Sequence, residues 1–133
     1  MRWRPPRVIV AACALAAVSS SVAACGGPAA DLFAVVRSGT VPGADITLIA
    51  SSDGTVRCRG HRHELPDPLL LTAENIADDL TKPVRLPSGA PPVYTYVVLT
   101  PDGTFSYSDD SPGQGSTLRQ LQAWVLKVVR TVC

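Results

Sequence analysis

Cys58, His61, His63 and Glu64 fall within one short run, Cys-Arg-Gly-His-Arg-His-Glu. Thiolate, imidazole and carboxylate donors at that spacing suit zinc or copper, with Glu64 as a fourth ligand. The competing explanation is a solvent-exposed basic loop, since one segment rarely supplies a whole metal site. His61 and His63 are therefore the residues on which a metal test should fall. Two acidic doublets, Asp78-Asp79 and Asp109-Asp110, offer paired carboxylates for acid–base work. Such work needs environments that separate the two pKa values. Adjacent acids on a helix diverge, and acids in a loop are usually solvated. The sequence contains neither a Gly-x-Ser-x-Gly elbow nor a phosphate-cradling glycine loop. The chain thus reads as non-catalytic, with no cofactor.

The remaining chemistry lies in the cysteines, and the first 25 residues decide how to count them. Arg2, Arg4 and Arg7 precede an uncharged stretch from Val8 to Ala24, rich in alanine and serine. A basic start, an apolar middle and a small-residue end are the parts of an export signal. The stretch falls short of the roughly 20 strongly apolar residues of a spanning helix. It closes on Val22-Ala23-Ala24-Cys25, followed by Gly26. This resembles the lipobox of bacterial lipoproteins, which implies cleavage before Cys25 and a diacylglyceryl group on its thiol. Val10-Ala11-Ala12-Cys13 repeats the pattern too early to leave an apolar region before it. The domain reading is then a signal peptide over 1–24, a lipidated cysteine and tether over 25–31, and one domain over 32–133. Two acyl chains, at about 0.8 kcal/mol per buried methylene, hold a protein on a membrane stably. The implied location is the extracytoplasmic face of the cell membrane.

Loss of the leader removes three arginines and takes the formal net charge from +1 to −2. A mildly acidic domain without a basic stripe argues against nucleic-acid binding. With Cys13 removed and Cys25 lipidated, Cys58 and Cys133 remain. In an exported domain an even pair reads as one disulfide, free thiols and intermolecular pairing being the alternatives. A Cys58 held in a disulfide could not act as a nucleophile beside His61.

These groups need a scaffold, and the rest of the sequence supplies one. Leu32–Arg37, Ile46–Ala50 and Thr55–Arg59 read as three strands, joined through Val41-Pro42-Gly43 and Ser52-Asp53-Gly54. Alternation puts Val56 and Cys58 on one face of the third. Gly60–Pro66 reads as polar loop. A helix is predicted from Asp67 as N-cap and Pro68 at its first position, with Leu69, Ala73, Ile76 and Leu80 as its stripe. Lys82-Pro83 stops it. Val93–Thr100 and Thr104–Ser108 read as a hairpin about Asp102-Gly103. A last helix starts at Ser116, with Thr117 and Gln120 at capping-box spacing and a stripe of Leu118, Leu121, Val125, Val128 and Val132. Trp124 and the strand aromatics Tyr94, Tyr96, Phe105 and Tyr107 are expected in the core. The fold class is α+β, in the order βββ-α-ββ-α: an antiparallel sheet of about five strands with two helices on one face.

Several of these pieces together resemble the emfourin family of small bacterial inhibitors of thermolysin-like metalloproteases. They are Val36-Arg37-Ser38-Gly39 with Gly43, Asp53-Gly54-Thr55-Val56, Val93-Tyr94-Thr95-Tyr96-Val97, Asp102-Gly103 and the leucine-rich last helix. The resemblance spans most of residues 32–132 and implies a protease as partner. It carries over no inhibitory residue, and the lipobox and cysteine pair depart from it. The expectation is a membrane-anchored binding or inhibitory module for a cell-envelope protein. The alternative is a metal-handling lipoprotein using His61 and His63.

Overall fold

The computed structural model describes residues 30–133. The leader, Cys13 and the lipobox with Cys25 lie outside the described residues. Eight elements follow in order: β1 Asp31–Gly39, β2 Ile46–Ser51, β3 Thr55–Cys58, β4 His61–Glu64, α1 Asp67–Asp79, β5 Tyr94–Thr100, β6 Gly103–Ser108 and α2 Ser116–Thr131. The strands form one sheet in the order β4-β3-β2-β1-β5-β6, and every neighbour is antiparallel. The α+β class holds, with one strand more than expected. β1 begins at Asp31, and Ser52 N–H already donates to the Ala30 carbonyl at 2.9 Å. The fold therefore starts earlier than the tether over 25–31 allowed.

The extra strand is β4, in the segment expected to be polar loop. Arg59 and Gly60 take φ values of 52° and 78°, the left-handed pair that closes a two-residue hairpin. β3 then pairs with β4 from Thr55↔Glu64 to Cys58↔His61. His-Arg-His-Glu has no apolar alternation because an edge strand at the sheet margin buries little on either side. At the opposite margin the connection after α1 covers β6. There Leu86 N–H donates to the Ser106 carbonyl at 2.8 Å, and Ser106 N–H to the Val84 carbonyl at 2.9 Å. Among the described residues the β4 edge is the one left open to pairing.

One face of the sheet carries the core. Phe33 and Val35 of β1, Leu48 and Ala50 of β2, Val56 and Cys58 of β3, Tyr96 and Val98 of β5, and Phe105 and Tyr107 of β6 are all buried. Leu69, Ala73 and Ile76 of α1 and Leu118, Leu121, Trp124, Val125 and Val128 of α2 close over them. Trp124 pins the layers together. Its indole packs edge-on to Phe33 at 5.3 Å, and its Nε1–H donates to the Leu69 carbonyl at 2.9 Å. Tyr96 and Tyr107 stack at 5.2 Å between ring centres. Val132, expected in the α2 stripe, is only partly buried at the helix end.

Neither predicted helix cap forms. Pro66 takes the N-cap position of α1, making Asp67 the first helical residue, and no side chain caps it. Gly115 takes that position in α2, so Thr117 lies inside the first turn and cannot cap. Cys58 and Cys133 form a disulfide, with Cα atoms 6.2 Å apart and a sequence separation of 75. It ties β3 to the end of α2. A closed loop of that length restricts the unfolded chain by about 4.5 kcal/mol in the chain-entropy treatment.

Candidate functional site

β4 separates the proposed metal ligands. Side chains alternate along a strand, so His61 and His63 share one side while Arg62 and Glu64 share the other. Cys58 is committed to Cys133. What remains together is a histidine pair on an edge strand, with His61 exposed and His63 half-buried. Among the described residues no three His, Cys, Asp or Glu side chains converge. Asp78 and Asp79 are exposed at the end of α1. Asp109 and Asp110 sit in the turn after β6, where one Asp109 oxygen and both Asp110 oxygens are shielded and lack a hydrogen-bond partner. Gln114 braces that turn through its Nε2, which donates to the Ser108 carbonyl at 2.7 Å and the Asp109 carbonyl at 3.1 Å.

In sequence Arg37 stands at the end of a strand and within the Val36-Arg37-Ser38-Gly39 motif, with no buried role assigned to it. It is instead a buried cation, 4% exposed, on the core side of β1. Its Nε–H donates to the Ala44 carbonyl at 2.8 Å, and Nη2 to the Gly43 carbonyl at 3.2 Å. The guanidinium lies over the Tyr94 ring, 4.5 Å from its centre. The alternation Phe33, Val35, Arg37 was the available signal, because it points all three inward. Arg37 clamps the β1–β2 loop to the sheet. Beside it, burial pushes the Tyr96 hydroxyl up to about 12, against the opposing pull of Arg37. Burial raises Tyr107 further.

Among the described residues no helix covers the other face of the sheet, and the composition of that face is graded. One row crosses all six strands by register: Arg62, Arg57, Ile49, Ala34, Leu99 and Thr104. The adjacent row runs Thr47, Val36, Val97 and Ser106. Leu99 is 46% exposed and Val36 40%, in central strands where burial is the norm. The centre is aliphatic, the β5–β6 side carries hydroxyls, and the β3–β4 side carries guanidinium groups. Arg62 is paired with Asp53, whose carboxyl is held low chiefly by the Thr55 hydroxyl. Among the described residues neither Arg57 nor Arg59 has an ion-pair partner.

A groove of about 510 Å³ opens where the aliphatic and cationic regions meet. β3 ends at Cys58 while β2 extends to Ile46, and the Arg59-Gly60 turn carries the chain away. The notch so left is lined by Val36, Thr47, Ile49, Arg57 and Arg59. Nothing in the linear sequence marks it, because it needs both the end of β3 and the register of β1 with β2.

No protein-family description, curated protein or solved structure matches the chain. Among the described residues no helix is long and apolar enough to cross a membrane.

Proposed function

We propose that this protein is an extracytoplasmic lipoprotein, anchored through Cys25, whose folded domain is a non-catalytic binding or inhibitory module for a cell-envelope protein. The observation that carries the binding role is the helix-free sheet face. It leaves Val36, Val97, Leu99 and Ile49 contiguous at the middle of the sheet instead of burying them. The Cys58–Cys133 disulfide supports the address, since such bonds persist in oxidising compartments. The basic and apolar leader ending in Val22-Ala23-Ala24-Cys25 supports the anchor. Four residues lie between Cys25 and Ala30, the first described residue, and could span no more than about 18 Å. The domain is thereby held close to the bilayer, within reach of partners at the same surface. The resemblance to emfourin-type inhibitors makes an envelope protease the first partner class to test.

The address is tested on the full chain expressed with its own leader. Mass spectrometry should find a diacylated Cys25 at the N-terminus, and Cys25→Ala should move the protein from the detergent phase to the aqueous one. An intact leader or an unmodified Cys25 would refute the anchor. The binding role is tested by affinity purification from detergent-solubilised membranes, where one partner should co-purify at fixed stoichiometry. Consistently empty eluates would refute it.

A further inference from the structure

We infer that the groove between Arg57, Arg59, Val36 and Ile49 is the partner site, and that its occupant is an acidic, aliphatic segment of the partner protein. This rests on the binding role proposed above and specifies where and what it binds. Three observations converge. First, Arg57 stands directly opposite Arg62 in the β3–β4 register, a like-charge pair that works against the hairpin. Asp53 neutralises Arg62, and Arg57 is left without a counter-charge among the described residues. With Arg59 two residues on, this makes a cationic corner on a domain whose formal net charge from residue 25 is −2. An incoming carboxylate would relieve both the repulsion and the imbalance.

Second, the floor beside those guanidinium groups is aliphatic. Val36, Thr47 and Ile49 line the same space, and Val97 lies beyond Val36 by register. Asp45 also lines the groove, its Oδ1 accepting a hydrogen bond from Gly39 N–H, and it forms no ion pair with Arg57 or Arg59. Apolar side chains of an extended segment fit this floor while their acidic neighbours reach Arg57 and Arg59.

Third, the position of the groove favours a protein over a lipid surface. The tether enters at the Asp31 end of β1, whereas the groove lies beside Val36–Ser38, roughly 20 Å further along the strand. The groove is therefore at the end of β1 away from Asp31, where the chain enters the sheet. The open face also presents no aromatic side chain along its two crossing rows, unlike the tryptophan and tyrosine belts of membrane interfaces.

The test places a photo-crosslinking phenylalanine analogue at Thr47, on the groove floor, in the full-length protein inside the cells that make it. A second derivative carries it at Gln120, on the exposed side of α2, and adducts are sequenced by mass spectrometry. The Thr47 adduct should map to a partner segment rich in Asp, Glu and aliphatic residues. It should fall at least tenfold in the Arg57→Glu/Arg59→Glu variant, and less steeply in the Arg57→Gln/Arg59→Gln variant. Thermal melts should show both variants at least as stable as the parent, since each relieves the Arg57–Arg62 repulsion. A Thr47 adduct to phospholipid, to a second copy of this chain or to a basic segment overturns the inference. So does an adduct that survives both variants undiminished. If only Gln120 captures a partner, the binding role stands and the groove is wrong. If neither captures one, both are wrong.

Discussion

Phe33, Val35, Leu48, Val98 and Tyr107 point into the helix-covered side of the sheet and are almost wholly buried. One residue along in each strand, Ala34, Val36, Ile49, Leu99 and Ser106 point the other way and are half-buried or exposed. Both sets lie on the same strands and share the same backbone hydrogen bonds, so strand formation does not distinguish them. The difference is what lies above. α1 and α2 bring eight buried side chains to the first face. To the second, among the described residues, come the guanidinium groups of β3 and β4 at its margin. Stability is concentrated on one side of the sheet, which leaves the other free for the binding role proposed above.

The sharpest way to test that division is to damage both faces and compare. Trp124→Ala on the covered face should cost about 4 kcal/mol in urea unfolding, because it removes a buried indole and its bond to Leu69. A loss below about 1 kcal/mol would mean the α1–α2 seam is not the keystone. Replacing both Cys58 and Cys133 by serine should cost about 3 kcal/mol, less than the full chain-entropy value because the unfolded state retains structure. Equal stability of the oxidised and serine forms would remove the disulfide from the account.

Arg37→Ala probes the one buried charged residue among the described residues and should cost about 2 kcal/mol. It strips donors from two carbonyls and releases the 40–45 loop. Hydrogen exchange should rise in that loop first; uniform exchange across the sheet would show that Arg37 acts otherwise. Alkaline titration probes the same corner. Tyr96 keeps its proton in the fold up to about pH 12, whereas the unfolded chain releases it near 10. Its contribution is whole below pH 10 and declines as the pH rises toward 12. The urea midpoint should fall over that window, and Tyr96→Phe should flatten the slope; an unchanged slope would break the assignment. On the open face Leu99→Ser should shift stability by no more than about 0.5 kcal/mol. If it costs as much as Trp124→Ala, the face is not open.

The candidate site was far less legible than the fold. Cys58 was placed inward by the Val56–Cys58 alternation, and its pairing with Cys133 followed once the leader's cysteines were set aside. Trp124 belonged to the core on the strength of its neighbours in the α2 stripe. The alternation that turns Val56 and Cys58 inward turns Arg57 outward, yet the significance of Arg57 depends on Arg62, which lies in a segment without strand periodicity. The capping assignments failed by one or two residues, where proline and glycine displaced the expected hydroxyl and carboxylate caps.

What this sequence determined by itself was local: the alternating strands, the glycine turns, the two helical stripes and the parity of the cysteines. Each follows from contacts between residues near one another in the chain, so period and spacing record it. Only the tertiary structure decided that His61–Glu64 pairs as an edge strand, that Arg37 is buried, and that β1 lies between β2 and β5. It alone left β2 extending past β3 to open a groove. These depend on pairings between distant segments, which side-chain periodicity does not encode, and which form because the helices can bury only one face of the sheet.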